Sequence, residues 1–160
     1  MTLVGQTTDT LANLTANHLF LSGLDPRFCN FLNECASVWR LDPSQDIFRE
    51  HGNADSFYLI QSGRVALDIF VPGRGVETIQ TLEAGEALGW SWLFPPYRWH
   101  FTAKAMEPTE LIGFDAAHLR ERMQENRDFG NELLARIARV LYQRLQATRR
   151  QLVGFYGVIE

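Results

Sequence analysis

The chain has 160 residues, a formal net charge of -4, 46% hydrophobic and 21% charged residues. This is ordinary globular composition with enough length for its own core, and the mild acidity gives no general reason to bind nucleic acid or an anionic membrane. No apolar run approaches the roughly 20 residues of a membrane span, and the start, MTLVGQTTDTLANLTANH, lacks the basic-then-apolar layout of a secretory signal, so a cytoplasmic location is expected.

A helical lead-in is expected over about 8–40. Leu11, Leu14, Leu19 and Leu21 run into SGLDPRF, where Asp25 reads as an N-cap and Pro26 as the first helical residue. Phe28, Phe31, Leu32 and Cys35 then recur at helical spacing. Cys29 and Cys35 are six apart, which is neither a CxxC knuckle nor a disulfide framework. They read as thiols on or near the buried side of a helix.

The period changes over about 41–114. SFYLIQSG, RVALDIFV, ETIQTLEAG and TELIGF are short, apolar or alternating, and separated by turn residues, as strands are. Val71 to Gly75 reads as a hairpin loop. Phe57 with Leu59, and Val65 with Leu67, supply alternating apolar positions for the inside of a roll. Gly52 and Gly63 suit turn positions with positive φ.

Helical spacing returns over about 115–153. Asp115 is placed to cap AAHLRERM, and a longer helix follows from about Asp128. Phe129, Leu133, Ile137, Val140, Leu141 and Leu145 form its apolar stripe. Arg136, Arg139, Arg144, Arg149 and Arg150 fall mostly off that stripe and read as a solvated face suited to the helix dipole, not as a nucleic-acid-binding surface. Helices, strands, then helices give an α+β fold in one domain. The expected architecture is an antiparallel β-roll of jelly-roll (double-stranded β-helix) type, flanked by N-terminal helices and two C-terminal helices.

No catalytic constellation stands out: GxSxG, HExxH, a P-loop and a supported Cys–His pair are all missing, so no enzyme activity is expected. His18, His51 and His118 are scattered, and His100 has no second ligand spaced to help it hold a metal. The segment Gly85 to Ala105, GEALGWSWLFPPYRWHFTAKA, has the layout of a ligand-cradling turn. Gly85 and Gly89 would let a backbone approach a ligand, and the segment after Gly89 can present free N–H groups.

These residues match a known pattern in order and spacing. IFREHGNADSFYLIQSGRVAL (Ile47 to Leu67), the upstream HLFLSGLDP, TLEAGEALG (Thr81 to Gly89) and TAKA (Thr102 to Ala105) together resemble the cyclic nucleotide-binding domain family, in the manner of catabolite-activator effector domains, over about Asn17 to Arg150. The resemblance implies a pocket in which backbone N–H groups and an arginine hold the cyclic phosphate, and an acid after the second glycine accepts from the ribose. It implies a regulatory or sensor module, dimeric through its long C-terminal helix.

Gly85, Glu86 and Gly89 keep the family pattern, but Trp90 stands where the acid belongs. The arginine position falls at Trp99 or His100, with Arg98 displaced, and His100-Phe101 replace two small residues. Losing a bidentate arginine–phosphate contact and adding bulk argue against tight binding of cyclic AMP. The candidate ligand residues are Gly85, Glu86, Gly89, Trp90, Ser91, Arg98, Trp99 and His100, with Glu86 assigned to the turn's own N–H groups.

Two readings stay open. One is a sensor for a cyclic nucleotide or other small anionic ligand. The other is a ligand-free dimerisation or protein-interaction module with an aromatic-plugged pocket. Phe129, Leu133, Ile137, Val140 and Leu141 are the candidate homodimer face. The apolar stretch LVGFYGVIE is expected to pack on a partner or on the roll. With neither a helix-turn-helix pattern nor a second copy, the chain reads as a stand-alone module.

Overall fold

The computed structural model describes residues 1–156. Strand β1 (Thr2–Val4) and helices α1 (Thr8–Asn17) and α2 (Pro26–Asn33) precede the strands β2 (Ala36–Leu41), β3 (Asp46–Phe48), β4 (Ser56–Ser62), β5 (Arg64–Val71), β6 (Gly75–Glu83), β7 (Ala87–Leu88), β8 (Thr102–Ala105) and β9 (Thr109–Asp115). Helices α3 (Ala116–Glu125) and α4 (Arg127–Tyr156) follow. The strands form two antiparallel sheets, ordered β1-β2-β9-β4-β7 and β3-β8-β5-β6. Phe48 of one sheet stacks on Tyr58 of the other at 6.3 Å, so the two inner faces meet as a roll. The expected α+β architecture is present.

Local chemistry explains the helix starts. Asp25 accepts from Arg27 N–H at 2.8 Å with Pro26 at the first helical position, and Asp115 accepts from His118 N–H at 2.9 Å. The lead-in is not helical through residue 40, as the periodicity suggested. Ala36 to Leu41 form β2, which pairs with β9 from Ala36↔Phe114 to Leu41↔Thr109. Val38 and Leu41 are buried on that ladder, and a β-branched and aromatic run prefers the pleated surface. Cys35 therefore lies just past α2, its thiol pushed up to about 12 by burial.

The alternation in β4 also differs from expectation. Phe57 packs on Phe20, Trp92 and Phe114, toward the helices, while Tyr58 turns into the roll. Phe57, Tyr58, Leu59 and Ile60 are all buried because both faces of this strand are covered. Positive φ falls on Gly63 but on His51 (φ 71) instead of Gly52.

One buried polar contact ties the lead-in to the roll. His18 is 4% exposed. Its Nδ1 accepts from Phe20 N–H at 3.1 Å, which leaves Nε2–H to donate to the Ile60 carbonyl at 2.7 Å. Burial lowers its pKa, against the opposing effect of the Ile60 bond. No described helix is long and apolar enough to cross a membrane.

Candidate functional site

The turn that follows β6 is clamped to β4. Gly85 N–H donates to the Ile60 carbonyl at 2.9 Å and Ile60 N–H donates to the Glu86 carbonyl at 3.0 Å. Glu86 Oε2 accepts from Glu83 N–H at 2.6 Å, the turn-holding role expected of it. β7 then pairs with β4 and delivers the chain to Gly89.

Gly89 runs at φ +82, and a Cβ there would stand 2.8 Å from Trp99 Cζ3. The backbone is closely approached, as the glycine suggested, but by an indole. Trp99 is 2% exposed and stacks on Phe48 with centroids 3.8 Å apart and planes 9° apart. Phe101 packs beside both, at 5.7 Å from Phe48 and 6.5 Å from Trp99. The inner end of the roll below Gly89 is thus filled by aromatic rings.

Backbone pairing decides which side chains enter. Ala54 N–H donates to the Tyr97 carbonyl at 2.8 Å, Trp99 N–H to the Gly52 carbonyl at 3.0 Å, and His51 N–H to the Trp99 carbonyl at 2.8 Å. In this extended ribbon neighbours alternate sides. Trp99 points inward, so Arg98 and His100 point out and are exposed. The Arg98 guanidinium donates to the His51 carbonyl at 3.4 Å, its one hydrogen bond among the described residues. Ser91 is buried in the short 3₁₀ turn Ser91–Leu93. The candidate ligand residues therefore do not share one pocket: Gly85 and Glu86 line a cavity, Trp99 fills the roll, and Arg98 and His100 point out.

Trp90 is half-buried and carries a guanidinium, that of Arg144 from α4, 5.3 Å from its ring centroid. Arg144 is 8% exposed. Its Nη2 donates to the Ala87 carbonyl, and its Nη1 is enclosed with no acceptor among the described residues. Burial lowers its pKa to about 10, with Glu86 opposing, so it stays charged near neutral pH. Arg144 lines a cavity of about 850 Å³ with Gln80, Gly85, Glu86, Arg136 and Arg139, between the turn and α4. Arg144 was assigned to a solvated face, yet it follows Ile137 by seven residues and so continues the buried stripe. That spacing was the available signal.

A second cavity, of about 340 Å³, lies beside the 3₁₀ turn against α3 and α4. Arg120 crosses its edge, donating to the Trp92 carbonyl at 2.6 Å and stacking 4.0 Å from the Tyr97 ring centroid. Neither cavity is lined by Gly89, Trp99 or Phe101. Among the described residues no cluster of His, Cys, Asp or Glu is arranged to hold a metal.

The expected dimer face needs correction. Phe129, Leu133 and Ile137 are buried in the chain's own core, with Phe129 5.6 Å from Phe28 and 5.3 Å from Phe31. Val140 and Leu141 are half-buried against it. The exposed large apolar residues of α4 are instead Leu134, Tyr142, Leu145, Leu152, Val153, Phe155 and Tyr156. Leu152 to Tyr156 are helical and exposed, not packed on the roll, and the remainder of LVGFYGVIE lies outside the described residues.

Comparison with known proteins agrees with this architecture. A cyclic nucleotide-binding domain from Methylobacillus flagellatus superposes with a TM-score of 0.82 at 16% identity, covering 96% of this chain and 88% of that one. A cyclic nucleotide-binding protein from Geobacter metallireducens gives 0.72 at 23% identity, covering 88% and 99%. The sensor domain of the transcriptional regulator DNR from Pseudomonas aeruginosa gives 0.69 at 21% identity, covering 87% and 93%. Such identities establish the fold. Among curated proteins no significant match is found. The family model for the cyclic nucleotide-binding domain matches residues 38–126, more than half of the chain, running from within β2 through the end of α3, and the chain accordingly belongs to that family.

Proposed function

We propose that this chain is a regulatory module whose roll is closed to cyclic AMP and cyclic GMP and whose output is the position and pairing of α4. The observation that carries this reading is the Trp99 indole, stacked on Phe48 and pressed against the Gly89 backbone. The family's sugar and phosphate would occupy that space. The side chains that read them are also absent: Trp90 stands at the acid's position, and Arg98 points out to the His51 carbonyl. Opening the roll would break the aromatic stack and re-expose its buried area, an energetic cost that a ligand's binding would have to exceed.

A ligand-free interaction module accounts equally for a plugged roll. The cavity of about 850 Å³ beside α4 favours a sensor, because it has the size of a small-molecule site and touches both the turn and the helix. A ligand there biases α4 only through its difference in affinity for two helix positions.

The helix supports pairing with a second copy. Leu134, Ala138, Leu141, Leu145, Leu152 and Phe155 follow the 3.5-residue repeat of a coiled-coil seam, and residues 148–156 of α4 are exposed. A self-complementary stripe on one long helix suits a two-fold partner.

Calorimetry with cyclic AMP and cyclic GMP tests the closed roll. No saturable heat is expected up to millimolar nucleotide. Saturable binding that shifts the amide signals of Gly89 and Trp99 would show the roll to be open.

A further inference from the structure

Arg144 is a charged side chain in an incomplete setting. Its guanidinium is wedged between the Ala87 carbonyl and the Trp90 ring, and Nη1 has no acceptor among the described residues. A neutral carbonyl is the weaker class of acceptor for a guanidinium, which pairs best with a forked oxyanion. The adjoining cavity holds three arginines, Arg136, Arg139 and Arg144, against two acids, Glu86 and Glu132. Both acids are already engaged: Glu86 with the Glu83 N–H at 2.6 Å, and Glu132 with Arg136 at 2.8 Å. Arg139 has no ion pair among the described residues.

We propose that this cavity is a receptor for an oxyanion group, phosphate or carboxylate, of a small molecule, and that the anion draws Arg144 off the Ala87 carbonyl as a latch. The positive charge comes from α4, not from the arginine position of the cradle, which Trp99 and the outward Arg98 leave without a cation. Resting Arg144 joins β7 and the following Trp90 to α4 by one hydrogen bond and one ring contact. An anion offers both guanidinium nitrogens charged acceptors at once. Arg139 and Gln143, on the same cavity wall, provide further donors. Release of the latch frees α4 from β7, so this inference rests on the reading of α4 as the output element.

The test titrates the purified full chain with inorganic phosphate, with succinate and with cyclic AMP at constant ionic strength. Trp fluorescence and the Arg144 side-chain Nε–H signal are read. Trp90 loses its guanidinium neighbour on release, so a saturable fluorescence change is expected with phosphate, succinate or both. A response to one probe alone assigns the group. Arg144→Gln is expected to weaken the response at least tenfold, and Arg144→Lys, which keeps the charge without the fork, by less. Trp90→Phe is expected to remove the optical change while the Nε–H shift remains. Should Arg144→Gln unfold, Arg139→Gln at the open wall provides the second measure, with a several-fold loss expected. No saturation by either anion, or equal binding by wild type and Arg144→Gln, overturns the latch. Cyclic AMP binding that moves Gly89 and Trp99 and survives Arg144→Gln overturns the closed roll instead.

Discussion

At Gly89 the backbone adopts φ +82 with the Trp99 indole within 2.8 Å of where a Cβ would be, so glycine and tryptophan form one packing unit. Trp99→Ala is expected to cost about 3–5 kcal/mol of stability, the range for a large aromatic removed from a core, read from the urea midpoint. Gly89→Ala is expected to destabilise as well, through both φ and the clash. The two costs should not add, because removing the indole relieves the clash, and additive values would contradict the direct contact. His18 supplies a pH signature. Its folded pKa is lowered from 6.5 by burial, so neutral His18 contributes fully above about 6.5 and its contribution falls as pH drops through that value. The urea midpoint is expected to decline between pH 7.5 and 5.5, and less so in His18→Gln. A flat wild-type profile over that window would contradict the buried neutral imidazole.

Helix α4 carries a buried stripe and an exposed face, and what the buried stripe meets is the chain itself. Phe129, Leu133 and Ile137 recur every four residues and cover the chain's own α2 and roll, so their apolar excess is core. Arg144 extends the same line seven residues on, where the wall is no longer apolar but offers the Ala87 carbonyl. Periodicity finds that a face is buried, yet it cannot tell a self-contact from a partner contact, since both select the same residue types. Local capping was more legible. Asp25-Pro26 and Asp115 start α2 and α3 where the residue chemistry placed them, because an N-cap bond is satisfied within a few residues. The end of the lead-in was less so: Ala36–Leu41 takes its strand identity from a ladder with β9, a partner more than 60 residues away along the chain.

The association state is decided at the scale of the whole molecule. The seam along Leu134, Ala138, Leu141, Leu145 and Leu152 is expected to pair two copies, with Leu145 49% and Leu152 54% exposed in the single chain. Light scattering should report a dimer, and the double substitution Leu145→Glu with Leu152→Glu should return monomers of unchanged fold by circular dichroism. A wild-type monomer at high concentration would remove the seam as an interface. A two-fold contact there would lie close to the Arg144 cavity, since both share α4, so dimer strength and anion binding are measurable against each other.

The sequence by itself determined the family, the roll and the glycine turn. These rest on short-range signals: strand periods, turn residues, caps and the spacing from Gly85 to Ala105, all written in neighbouring residues. It also marked Trp90 and Trp99 as departures from the family's pocket. Only the tertiary structure decided that Trp99 enters the roll while Arg98 and His100 leave it. The inward side is set by pairing with Gly52 and Ala54, one residue of register in an alternating ribbon. Only the tertiary structure brought Arg144 to Ala87 and Trp90, since that meeting depends on how a long helix lies across a turn 57 residues earlier.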